Sequence, residues 1–330
     1  MKHIALVLAL VTSALLALSL APAPAVASYR APVVPVVRVW TEPEAGYGFL
    51  DRAILGARHS IDLSLYELSD PIIEHDLSAR ARAGVAVRVL LNSDYDGRYE
   101  NAAAATNLAA GSVHVAWASA GTIFHAKYAV IDGVAYVGTG NLVADDYSST
   151  RDFWVEVNRA SDVAAITSTF DADFTHRDAA PRDAAGLLWS PGSTSTLVAL
   201  INSATHTLLV ENEEMDNTTI ESALSAAARR GVAVKVVMTA SSEWSAALDQ
   251  LQQAGVLVSV LGPSQIYIHA KVICADCSAS GGTVFIGSEN FSTASLDYNR
   301  ELGVLTSSPI ALAAVEGAVD ADYALGRSPS

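Results

Sequence analysis

Lysine is nearly absent from this chain: Lys2, Lys127, Lys235 and Lys271 are the only four in 330 residues. Arginine lifts the basic total to just 20, against 35 Asp and Glu, and the formal net charge is −15. Gripping a long polyanion takes Lys and Arg along a whole contact surface, so the balance argues against an extended nucleic-acid binder. It leaves room for one small phosphate held by a few local cations. Cysteine is scarcer still, with Cys274 and Cys277 alone in a C-x-x-C pair. No second Cys/His cluster exists to complete a metal site, and the β-like "KVICADC" is not the helix start that a redox pair uses. A local disulfide and two free structural thiols both stay open.

Long apolar runs are missing too, except at the start. In "MKHIALVLALVTSALLALSLAPAPAVAS", Lys2 gives a short positive end, Ile4 to Leu20 the apolar run and "AVA" a small-residue cleavage site. This predicts a signal peptide over residues 1–27, cleaved near Ala27, and a secreted or periplasmic mature protein. An uncleaved anchor is the alternative; the short segment, its Thr12 and Ser13 and its Pro-rich end count against it. No later stretch is long and apolar enough to span a bilayer, so no stable membrane insertion is expected after the leader is removed. What the chain does have is apolar residues, 51% of the total, enough for a sizeable core.

It also has a repeat. "ARAGVAVRVLLN" (81–92) returns as "ARRGVAVKVVMT" (228–239), "HAK" at 125 returns at 269, "GTGN" (138–141) as "GSEN" (287–290), and "DADF" (171–174) as "DADY" (320–323). The matches keep their order over almost the whole mature chain, which makes it a duplication. Each copy alternates helix and strand. "FLDRAILGARHS" and "PIIEHDLSARARAG" read as helices, the second with Pro71 in its first turn and Gly84 as its stop. "SIDLSLYEL" and "VAVRVLLN" read as strands, and "TIFHAKYAVID-GVAYVGT" as a hairpin turning at Asp132–Gly133. The fold class is therefore α/β, with a mixed, mostly buried sheet in each unit. We expect units at 28–178 and 179–330, joined near 176–188 and packed about a pseudo-two-fold axis.

Alternation along a strand puts residues i and i+2 on one face, so His125 projects with Lys127 and His269 with Lys271. An interface between the units would then gather two imidazoles, two ammoniums and, from the ends of the return strands, the carboxamides of Asn141 and Asn290. Ammonium and amide hydrogens suit the non-bridging oxygens of a phosphate. One imidazole can attack phosphorus while the other protonates the leaving oxygen. Taken singly, a His-x-Lys is usually a solvated strand face, and Asp132 a turn residue. Joint recurrence overrides that: both units carry H-x-K-x₄-D, as His125, Lys127, Asp132 and His269, Lys271, Asp276. Both then carry G-[ST]-x-N, through Thr139 and Asn141 and through Ser288 and Asn290.

On these motifs the chain resembles the phospholipase D superfamily, over nearly all of its mature length. The resemblance implies a duplicated α/β/α sandwich with one shared active site and no metal or other cofactor. It implies that one of His125 and His269 is a nucleophile forming a phosphohistidine and the other an acid and then a base, with family habit favouring His125 as nucleophile. It implies phosphate binding by Lys127, Lys271, Asn141 and Asn290, with the Thr139 and Ser288 hydroxyls nearby. Asp132 and Asp276 complete the motifs and are expected to support strand-turn geometry. A later carboxylate usually orients the histidine; the matching positions are Asp152, one methylene shorter than usual, and Glu301. The implied partner is a phospholipid whose headgroup ester is cleaved or exchanged, with a nucleic acid or other phosphodiester as the alternative. Acidic "ENEEMD" (211–216) weighs against the latter. The loop "NSDYDGRYENAAAATN" (92–107) and Trp244 follow equivalent strands and are candidates to meet substrate. Two motifs in one chain complete the site without a second copy, so a monomer is expected.

Overall fold

The computed structural model describes residues 33–177, 180–181, 186–262 and 264–329. The leader at 1–27 and the unit boundary at 178/179 lie outside the described residues. Among those described, no helix is long and apolar enough to cross a membrane.

Two sheets repeat one another element by element along a seven-strand path, and Tyr267–Ile268 adds an eighth strand to the first. In the first, strands run in the order Val36–Glu42, Thr150–Val157, Val134–Gly138, Lys127–Ile131, Ser60–Leu65, Ala86–Leu91 and His114–Trp117. The second runs Leu187–Ser190, Glu301–Thr306, Thr283–Gly287, Val272–Ala275, Thr207–Glu211, Ala233–Thr239 and Leu257–Leu261. Each is mixed, with parallel pairs where helices cross over and antiparallel pairs around the hairpin. The fold is thus a pair of duplicated α/β domains, as the repeat predicts.

Local chemistry fixes corresponding points in both. Helix Pro71–Arg82 starts at Asp70, whose carboxylate accepts from the Ile72 and Ile73 amides, and helix Thr218–Arg229 starts at Asn217, which accepts from Thr219 and Ile220. Each cap satisfies amides that the first turn leaves unpaired. The first hairpin turns at Asp132 (φ 48°) and Gly133 (φ 85°), the left-handed pair that matches strand twist.

The layers follow from which faces are apolar. Helices Gly48–Gly56, Pro71–Arg82 and Ala102–Ala110 cover the outer face of the first sheet through Leu50, Ile54, Ile73, Leu77 and Leu108. Thr194–Ser203, Thr218–Arg229 and Ser245–Gln253 do the same for the second. The inner faces share one core with helices Ala160–Phe174 and Pro309–Leu325, joining Tyr128, Phe153 and Phe170 to Ile268, Leu302 and Val315. Every residue there is nearly water-free, so the two domains are held together by apolar burial, at about 25 cal/mol per Å².

Two expectations need correction. The stretch 92–107 is loop only over 92–96; two short helices follow, Gly97–Glu100 and Ala102–Ala110, because the run of alanines favours helix over coil. His125 and His269 are not within their own hairpin strands, which start at Lys127 and Val272. The segments carrying them reach across to the other domain instead. Phe124 bridges to Arg300, and the His125 amide donates to the Arg300 carbonyl at 2.9 Å. Likewise Tyr267–Ile268 pairs in parallel with Thr150–Arg151.

Candidate active site

That crossing decides which carboxylate meets which imidazole. Arg300 precedes Glu301, so tethering His125 to Arg300 sets its Nδ1 2.9 Å from Glu301 Oε2. Arg151 precedes Asp152, and His269 Nδ1 lies 2.9 Å from Asp152 Oδ1. Each domain therefore supplies the carboxylate for the other's histidine. With Nδ1–H donating to a carboxylate, the Nε2 lone pair is left for chemistry.

Below each carboxylate sits the hydroxyl of the G-[ST]-x-N motif. Thr139 Oγ1 donates to Asp152 at 2.5 Å, and Ser288 Oγ donates to Glu301 at 2.6 Å. Both hydroxyls are wholly buried. Expected beside phosphate, Thr139 and Ser288 are instead props for the carboxylates, because a buried carboxylate needs donors on its remaining lone pairs. Gly140 is constrained by the same packing, since a Cβ there would fall 2.5 Å from the Tyr47 hydroxyl and 2.7 Å from the Asp152 carboxyl carbon.

A cavity of about 440 Å³ opens over this floor, and His125, His269, Asn141 and Asn290 all line it. It continues past His125 and Asn290 into a wider arm of about 740 Å³, walled by Tyr95, Ile123 and Trp244. Lys127 and Lys271 lie beneath with no solvent exposure. Each ammonium donates to the carbonyl of the histidine two residues earlier. The structure thus brings both histidines, both lysines and both asparagines to one place. Asp132 and Asp276 it does not. They sit at the far ends of the hairpin strands, about 16 Å along the chain from the lysines. Asp132 accepts from the Arg58, His59 and Ser60 amides, and Asp276 from those of Thr205, His206 and Thr207. Though they complete the motifs, they tie the turn to the neighbouring strand, the role expected of them.

The electrostatics are uneven. Burial, with Lys127 and Lys271 nearby, pushes His125 down to about 4 despite Glu301. Burial and then the Lys271 charge pull Lys127 down to about 7. Burial would raise Asp152 and Glu301, but their facing imidazoles and the lysines outweigh it and hold both below the ordinary range.

Three residues of the cleft escaped sequence reasoning: Tyr66, Tyr267 and the particular role of Glu213. Lys127 has the Tyr66 ring 5.1 Å away, while Lys271 has the Glu213 carboxylate at 2.9 Å. In sequence Glu213 is one carboxylate of the acidic run 211–216. Sliding one repeat onto the other by the offset of the two "GVAV" strands pairs Tyr66 with Glu213, and that was the available signal. Trp244 and Tyr95 do reach the cleft wall. Cys274 and Cys277 form a disulfide at the end of the second hairpin, away from the cavity.

Comparison with known proteins matches the duplication. The sequence profile of the cardiolipin synthase, PLD-like domain fits residues 50–176 and again 197–322. No curated protein sequence matches significantly. Among solved structures, phosphatidylserine synthase from Haemophilus influenzae Rd KW20 is similar over 90% of this chain and 89% of its own, with TM-score 0.69 and 10% identity. Polyphosphate kinase from Porphyromonas gingivalis is similar over 86% of this chain, with TM-score 0.68 and 16% identity, and this chain spans 50% of that longer one. Nuc, a phospholipase D family member from Salmonella typhimurium, is 27% identical over 44% of this chain and 97% of its own, with TM-score 0.38. At 10% and 16% identity the likeness is one of fold.

Proposed function

Since this chain belongs to the phospholipase D superfamily, whose enzymes act on phosphodiester bonds, we propose that it cleaves or exchanges the headgroup ester of phospholipids through a phosphohistidine. The observation that carries the reading is the pair of imidazoles on one cavity wall, each oriented by a carboxylate from the opposite domain.

His125 is the nucleophile. A pKa near 4 keeps its Nε2 lone pair free at neutral pH. In the first step Nε2 forms a bond to phosphorus as the bond to the leaving alcohol oxygen breaks, and His269 gives that oxygen its proton. In the second step water or an alcohol loses a proton to His269, attacks phosphorus and breaks the P–N bond, which restores both imidazoles. Lys127, Lys271, Asn141 and Asn290 hold the non-bridging oxygens, where negative charge grows in the transition state. Asp152 and Glu301 keep the ring tautomers and balance imidazolium charge. Asp132 and Asp276 act only through the fold.

The lipid substrate is supported by the wider arm, where Ile123 and Trp244 offer apolar wall to a diacyl glycerol end. It is supported also by the acidic character of chain and cleft, which opposes a long polyanion. The apolar leader supports action outside the cytoplasm. Parallel assays of the mature protein with chelator, on phosphatidylcholine and on single-stranded DNA, test the reading. Phosphatidate with intact DNA is the expected outcome; oligonucleotide products, or a need for added divalent metal, would overturn it.

A further inference from the structure

Glu213 does something the motifs do not call for. Its Oε2 lies 2.9 Å from Lys271 Nζ, 3.4 Å from Asn290 Nδ2 and 3.6 Å from His269 Nε2. One oxygen of the protein's own carboxylate is thus within reach of the two groups through which the second domain would hold a phosphate oxygen and of the imidazole that would carry the proton. Its other oxygen accepts from the Tyr267 hydroxyl at 2.8 Å, and Glu214 takes the Asn290 amide as well, at 3.1 Å. Asn290 Oδ1 is left without a partner although the residue is only 5% exposed, so its carboxamide is half satisfied at the cavity wall.

The first domain has no such occupant. Tyr66 stands at the matching position, its ring edge-on to His125 with centroids 4.8 Å apart. Among the described residues no carboxylate pairs with Lys127. The cradle is therefore half filled, and the filling is anionic.

We propose that Glu213 is a specificity-determining residue: it occupies the oxyanion position on Lys271 in the resting enzyme and cedes it to phosphodiesters whose alcohol is cationic in preference to anionic ones. An incoming phosphate oxygen takes Lys271 and Asn290, and Glu213, already 21% exposed, swings outward on its own side chain. It stays beside Glu214, so the esterified group meets two carboxylates. An ammonium-bearing alcohol is attracted to them. A second phosphate, or a carboxylate on the alcohol, is repelled, which is selection by an unfavourable contact. Oε2 also mimics inorganic phosphate, so this anion should bind the resting enzyme poorly. The inference rests on the cradle being a phosphate site and refines the lipid reading.

Two measurements separate it from that reading. The first is inhibition of bis(p-nitrophenyl) phosphate hydrolysis by inorganic phosphate, which needs no lipid. Glu213→Gln keeps the shape and removes the charge; its inhibition constant should fall about tenfold. Tyr267→Phe, which removes one hydrogen bond from the carboxylate, should lower it about two- to threefold with little risk to folding. An unchanged or higher constant in both variants would overturn the occupancy. The second is the ratio of kcat/KM on micelle-free short-chain phosphatidylcholine to that on short-chain phosphatidylglycerol phosphate, whose alcohol carries a second phosphate. It should favour phosphatidylcholine in the parent and narrow about tenfold in Glu213→Gln. An equal ratio in parent and variant would overturn the selectivity. If neither lipid is turned over while the phosphate effect appears, the lipid substrate is wrong and the occupancy stands.

Discussion

Tyr66 and Glu213 occupy one position in the two domains, and almost everything unequal about the site starts there. Around them the halves match: a His, a Lys two residues on, an Asn after the return strand, and a carboxylate lent by the other domain. Yet an aromatic ring lies over Lys127, where Lys271 meets a carboxylate. His125 is flanked by ring edge and buried cations and is held neutral. His269 has carboxylates near both ring nitrogens, Asp152 at Nδ1 and Glu213 at Nε2. A duplicated fold gives two equivalent histidines; one substitution at the end of the preceding strand gives them different surroundings. In the proposed mechanism the first half attacks and the second carries the proton.

The comparison can be broken most severely at the shared carboxylates. Glu301→Gln and Asp152→Asn keep shape but lose the charge that fixes each ring, and kcat should fall roughly 10²-fold or more in either. The two should differ in kind. With a p-nitrophenol leaving group, which needs no acid, Asp152→Asn should spare the first step, whereas Glu301→Gln should slow it. Burst kinetics on a p-nitrophenyl diester reads this directly, and equal loss of the burst in both would erase the distinction between halves.

The pH profile of kcat/KM sharpens it further. Protonating His125 removes the nucleophile, so activity should fall as pH drops through about 4. Deprotonating Lys127 removes a phosphate-binding charge, so it should also fall as pH rises through about 7. Tyr66→Glu, which makes the halves alike, puts an anion on Lys127 and should move the alkaline limb upward while raising KM. An alkaline limb that stays in place in that variant would detach it from Lys127.

The smallest effect belongs to the hairpin ends. Asp132→Ala removes the acceptor for three backbone amides, at about 1 kcal/mol of stability. Its kcat should stay within about twofold of the parent, measured with urea unfolding alongside; a loss like that of the buried carboxylates would return Asp132 to the site.

Much of this is legible in the sequence. The ordered repeats gave the duplicated α/β domains, and the paired motifs marked both histidines, lysines and asparagines. What stayed hidden depends on the fit of one domain against the other. Period-2 alternation put His125 in a strand beside Lys127, but its segment pairs with Arg300 of the second domain, a contact with no local signal. The same docking sends Asp152 to His269 and Glu301 to His125, which counting along either repeat does not reveal. The resemblance sets the Thr139 and Ser288 hydroxyls near the phosphate, whereas packing buries them under carboxylates. Glu213 was lost in an acidic run, where each carboxylate looks like any other until its neighbours are known.

The most direct test of two unlike histidines is to capture the covalent adduct. His269→Asn incubated with a p-nitrophenyl phosphodiester in the presence of chelator, then mapped by peptide mass spectrometry, should carry one phosphoryl-linked group on His125, lost on acid treatment. The same experiment on His125→Asn should yield none. An adduct on His269, or none in either variant, would contradict the account.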